Sequence, residues 1–182
     1  VAYMQLKDYP QAVSALENAV KLQPRHKSAH YNLAQAYAKI GKPNRAEAET
    51  RTFEELHQVD EETKPHRRKL EGDPEDLRAR YAIAQIYAKH GWIEEALEQC
   101  ELLLSIQPDF APAYVAIIQL YISQKQLQDA RAWAQQLTQV QPSLSSGYYY
   151  LGLISAELGF VDATVEAYQK AISLDPKSPS AY

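Results

Sequence analysis

Tyr3 and Tyr37 lie 34 residues apart, as do Tyr87 and Tyr121, and Pro108, Pro142 and Pro176 follow one another at the same interval. A period of this length constrains the fold more than any other feature. It means that one small unit, unable to bury its own apolar face, is stacked on copies of itself. With the register set by the prolines, residues 1–26 supply positions 9–34 of a truncated first unit. Residues 27–60, 77–110, 111–144 and 145–178 form four more, and 179–182 open another. Residues 61–76 interrupt the series as a connector, so the expected organisation is a single array over 1–182.

Within a unit, apolar residues recur at positions 4, 7, 8 and 11, then at 17, 20, 24 and 27. Each set follows helical spacing and makes one buried stripe. Position 8 is small in Ala34, Ala84 and Gly152, though not in Ile118, and position 20 is alanine in most units, which lets two helices approach closely. Gly41, Gly91 and Gly159 fall at position 15, between the stripes, where glycine can take the left-handed conformation that ends a helix. Proline at position 32 stops the second helix. Each unit thus reads as a hairpin of helices A and B. The expected pairs are 28–40 with 44–63, 77–90 with 94–106, 111–123 with 127–140, and 145–158 with 162–174.

His30–Glu49 (HYNLAQAYAKIGKPNRAEAE) and Tyr148–Pro176 (YYYLGLISAELGFVDATVEAYQKAISLDP) carry the pattern most closely. The chain resembles the tetratricopeptide repeat family over nearly its whole length except about 61–76. The resemblance implies an all-α fold, a right-handed α-solenoid of stacked antiparallel helix pairs. It also implies that helix A positions 2, 5, 9, 12 and 13 line a concave groove. Here those positions supply Tyr31, Tyr81 and Tyr149; Gln35, Gln85, Gln119 and Leu153; Ile122; and the cations Arg78 and Lys89. Glutamines can pair with a peptide backbone, and tyrosines offer rigid amphipathic area. Position-5 tyrosines are also able simply to pack between neighbouring helices. Two specialised versions of the family do not fit. The carboxylate clamp finds Asn32 and Arg78 but is not completed by Tyr81, Ala82 and Gln85. The asparagine ladder of the sugar-transferring enzymes would need asparagine where Ala82, Ala116 and Tyr150 stand.

The connector reads EETKPHRRKLEGDPED. Gln58 stands where the proline is due, so the second unit's helix B is expected to run on to about Thr63. Pro65 then disfavours helical geometry in Lys64. His66–Leu70 forms a short extra turn, and Asp73-Pro74 starts the next helix. The segment is either a solvated link or a contact site using Arg67, Arg68 and Lys69.

No catalytic constellation is present: no phosphate loop, nucleophile elbow, HExxH or CxxC. His26 and His30 share metal-pair spacing but lack a third ligand. The expectation is a non-enzyme without cofactor or metal. Net charge −4 and a pI of about 5.8 argue against nucleic acid. No apolar run approaches the ~20 residues of a membrane span. Cys100, the single cysteine, sits at inward position 24 and reads as core. The leading functional expectation is a protein-interaction scaffold that binds a peptide or protein segment in the groove. The alternatives are a substrate-docking arm of a multidomain enzyme and a self-assembly module. The chain begins in mid-helix and ends at a helix start, so it reads as a piece of a longer protein. End-to-end self-association is expected through apolar faces uncovered around Ala12, Leu16 and Ala19, and around Tyr168, Ala171 and Ile172.

Overall fold

A computed structural model describes residues 2–176. Among these the chain is wholly helical: α1 (Ala2–Gln5), α2 (Tyr9–Leu22), α3 (Lys27–Lys39), α4 (Pro43–Gly72), α5 (Leu77–Lys89), α6 (Ile93–Ile106), α7 (Ala111–Ser123), α8 (Leu127–Val140), α9 (Ser145–Glu157) and α10 (Val161–Leu174). The described residues divide into two compact units, 2–64 and 65–176, the division falling within α4. Apart from α4, the predicted helix boundaries lie within about one residue of the observed ones. Pro179–Tyr182, read as the opening of a further repeat, lies outside the described residues.

The turn between helices A and B is built the same way five times. Position 15 is left-handed throughout, in Gly41, Gly91 and Gly159 and also in Lys7 and Lys125 (φ 58° and 60°). The next amide reaches back over the turn: Lys42 N–H donates to the Tyr37 carbonyl at 2.9 Å, Trp92 to Tyr87 at 2.8 Å, and Gln126 to Tyr121 at 2.9 Å. Carbonyls orphaned at the end of helix A are thereby satisfied.

The opposite turn, from helix B to the next helix A, uses a side chain. In three successive repeats the residue at position 4 hydrogen-bonds the carbonyl of the proline six residues upstream. His30 Nε2 lies 2.8 Å from the Pro24 oxygen, an Arg80 guanidinium nitrogen donates to Pro74 at 2.7 Å, and the Tyr114 hydroxyl donates to Pro108 at 3.0 Å. Imidazole, guanidinium and phenol share little except an N–H or O–H at the end of a side chain. An apolar reading of position 4 does not foretell this clasp, because it counts only the part of each side chain that is buried.

Unit 1 packs Ala12, Val13 and Leu16 of α2 against Ala29, Leu33 and Tyr37 of α3, with Met4 of α1 beside them. Ala12 and Leu16, expected to be uncovered, are therefore buried. The physical reason is that α3 covers the inward stripe of α2. Helix α4 runs antiparallel to α3: Arg45 reaches Tyr37, Glu49 reaches the His30 ring at 2.6 Å, Phe53 packs on Tyr31, and Asp60 takes the Lys27 ammonium at 2.6 Å.

Helix α4 corrects the reading of the connector. It is 30 residues long where the other B helices have 14, and it passes straight through Pro65. The next turn falls at Pro74, and α5 starts at Leu77 with Asp76, not Asp73, accepting from the Ala79 amide. Leu56, Val59 and Thr63 are buried along one face at helical spacing, so packing holds the helix past the point where its propensity fails. The Thr63 hydroxyl also donates to the Val59 and Asp60 carbonyls. Pro65 cannot bond the Glu61 carbonyl, but both residues are exposed and solvent can serve that oxygen. The repeat's closing proline is thus displaced to Pro74, where it makes the same clasp with Arg80.

In unit 2, helices α5 to α10 form three antiparallel pairs around two cores that share Leu104, Tyr121 and Trp133. Each pair meets where position 8 faces position 24. An added Cβ on Gly152 would stand 2.8 Å from two atoms of the Tyr168 ring. In the preceding repeat large Ile118 shares a core with small Ala134, and before that Ala84 shares one with Cys100. In the last two repeats volume lost on one helix is returned on the other, which accounts for Ile118 at a position otherwise small.

Two stability measurements check this account. Gly152→Leu must displace a ring rather than the end of a flexible chain, and thermal or denaturant unfolding should show a loss of about 1–3 kcal/mol. Tyr114→Phe keeps the ring and removes only the clasp to Pro108; it should cost about 0.5–1.5 kcal/mol with helicity by circular dichroism intact.

Candidate interaction groove

Helical periodicity on α5 places Tyr81, Gln85 and Lys89 in a row, one turn apart. On α7 the same periodicity aligns Ala116, Gln119 and Ser123. Between the two rows the unit holds a cavity of about 370 Å³. Its floor is made of small side chains, Ala84 and Ala88 of α5 and Cys100 of α6, and the small floor residues are what leave the space open.

The polar groups on the rim are already ordered. Gln119 Nε2 donates to the Tyr150 hydroxyl at 2.6 Å, and Gln85 is hydrogen-bonded to the Tyr81 phenol. Burial raises the Tyr81 pKa above its ordinary value and the Cys100 thiol adds to this, whereas the Gln85 bond acts the other way. Tyr81 is therefore a neutral hydroxyl at any ordinary pH. Burial pushes Cys100 up to about 12, so it lines the floor as a neutral thiol, as its inward position predicted.

Of the ten residues expected to line a groove, the structure gathers Tyr81, Gln85, Lys89 and Gln119 around this one cavity. Arg78, Ile122, Tyr149 and Leu153 belong to the same unit but not to the cavity lining. Ile122 packs against the core of α7 to α9, and Tyr149 lies between the rings of Tyr150 and Tyr168, at 5.4 and 6.1 Å. Tyr81 is itself edge-on to Phe110 at 5.9 Å. Tyr31 and Gln35 belong to unit 1, where Tyr31 packs on Phe53 while keeping almost half its surface exposed. Packing between helices, the plainer role foreseen for position-5 tyrosines, thus operates at all three. Sequence reasoning missed Tyr150, whose position 6 is occupied by alanine in the two preceding repeats, and Ser123.

His26 and His30 are both occupied. His26 Nδ1 accepts from the Ala29 amide at 3.2 Å, and both nitrogens of His30 face protein oxygens. His57, Asp60 and Glu61 on α4 bring potential ligand atoms within 4.8 Å of one another. Asp60, however, holds Lys27, and Glu61 holds Lys64 at 3.0 Å, which keeps its carboxyl below the usual range.

Two family models described as tetratricopeptide repeat match the chain, one over residues 3–62 and the other over 77–110 and 145–178. The chain belongs to the tetratricopeptide repeat family. Among solved structures it is similar to PilW, a widely conserved type IV pilus biogenesis factor, at 21% identity and a TM-score of 0.58, covering 99% of this chain and 92% of that one. A thermophilic repeat protein of Thermus thermophilus is 20% identical with a TM-score of 0.56, covering 100% and 90%. YrrB, a repeat protein with an unusual peptide-binding site, is 15% identical with a TM-score of 0.52, covering 99% and 84%. No curated protein sequence matches this one. At these identities the likeness is one of fold. That fold is in general a non-catalytic protein-interaction scaffold. No helix among the described residues is long and apolar enough to cross a membrane.

Proposed function

We propose that this repeat array holds an extended segment of a partner protein in the groove between α5 and α7. The observation that carries the reading is the convergence of Tyr81, Gln85, Lys89 and Gln119 on one small-floored cavity. The amides of Gln85 and Gln119 suit a peptide backbone, Tyr81 offers an aromatic edge, and the space above Cys100 accepts a modest apolar side chain. Helices fix the rim before any ligand arrives, so little ordering cost falls on the receptor. The description of YrrB as carrying a peptide-binding site supports the class of ligand and nothing finer.

Peptides selected from a displayed random library on the folded protein would test this. Titrated against variants, they should lose about tenfold or more in affinity, as truncation of interface anchors generally does, on Tyr81→Ala or Gln85→Ala. Glu98→Ala and Gln135→Ala should leave affinity unchanged. The reverse pattern would move the site off this groove.

A further inference from the structure

Helix α9 presents two sides. Tyr149 and Leu153 point one way; Tyr148 and Leu151, about half a turn round at ~100° per residue, point the other. Over Tyr148 and Leu151 lies a second and larger cavity of about 700 Å³, bounded by α8 and α10 and sharing no residue with the first. Its wall on α10 runs from Ala163 to Ser173, about 15 Å at ~1.5 Å per residue, the reach of four or five extended residues. Ala163 and Ala167 let a backbone come close, while Gln169 and Ser173 carry an amide and a hydroxyl beside it.

The charges decide what fits. Arg131 and Lys170 line the groove, and each lies near an aromatic ring. Arg131 is 5.0 Å from the centre of the Phe160 ring and Lys170 is 6.0 Å from that of Tyr148. Arg131 Nε is moreover buried with no hydrogen-bond partner. A carboxylate entering the groove would meet the outer guanidinium nitrogens with a charge-assisted bond. Glu166 is the one acid in the lining, so the local balance favours an anion by a single charge.

We propose that this groove is a second binding site, for an acidic peptide segment of a partner protein. Carboxylates of the segment engage Arg131 and Lys170, and an apolar side chain rests on Leu151 and the two alanines. Glu166 acts against the ligand and tempers its affinity.

The test uses the whole protein and a fluorescein-labelled peptide of alternating Glu and Leu, with a Lys and Leu peptide as control. The acidic peptide should bind and the basic one should not. Arg131→Glu with Lys170→Glu should weaken binding about tenfold or more, and Glu166→Gln should strengthen it about two- to fivefold, as expected when charges at an interface are reversed or removed. Tyr81→Ala should change nothing, which keeps this result separate from the first groove. Circular dichroism checks folding, and the milder Arg131→Gln with Lys170→Gln replaces the reversal if that variant unfolds. Equal binding of both peptides, or indifference to every one of these charge changes, would overturn the proposal. So would single-stranded RNA that displaces the acidic peptide through Arg131 and Lys170 with tighter binding, which would make the site one for nucleic acid. Loss of the peptide site on dimerisation through these residues would assign the groove to a second copy.

Discussion

Two helices of a repeat can cross only as closely as the side chains at the crossing allow, and the space there is fixed by the rest of the stack. In unit 2 that space is divided differently each time: glycine against tyrosine, isoleucine against alanine, alanine against cysteine. In the first two a small residue on one helix is matched by a larger one on the other, because packed interiors tolerate neither voids nor overlap well, whereas Ala84 and Cys100 are both small and a cavity remains beside them. The neighbouring features depend on this crossing. It seats each pair on the next, sets the width between successive A helices and so leaves the groove above Cys100 open. A substitution at position 8 is therefore meaningful only together with the residue at position 24.

Turn geometry is kept by two devices of different kinds. Between helices A and B it is a backbone conformation, strict enough that Lys7 and Lys125 adopt it although side chains disfavour it. Between helices B and A it is a donor at the end of a side chain, and any group that reaches the proline carbonyl will serve. Because both devices are local, α4 can be more than twice the usual length and still deliver Asp73-Pro74 into an ordinary turn.

Much of this was legible in the residues. The period, the two stripes and the position-15 turns follow from local rules that each repeat states again, so errors in one copy are corrected by the others. Helix α4 departs from its sequence reading because Pro65 is a single residue, whereas the burial of Leu56, Val59 and Thr63 is a tertiary fact. The spacing of six from Pro74 to Arg80, equal to that from Pro24 to His30, was the available sign that the proline had moved and not vanished. The groove was half legible. Helix face predicts which side a residue takes, and so placed Tyr81, Gln85, Lys89 and Gln119 together. It does not predict which neighbours are aromatic enough to draw Tyr149 into a stack, or that Tyr150 would meet Gln119.

The single thiol under the groove carries one more consequence. Cys100 is fully buried, and burial pushes its thiol up to about 12, which leaves almost no thiolate at neutral pH. An alkylating reagent coming through the groove can reach it only when the side chains that cover it shift. Its rate of labelling thus reads the frequency of that local opening without any added probe, and an occupant seated over Ala84 and Ala88 would slow the clock.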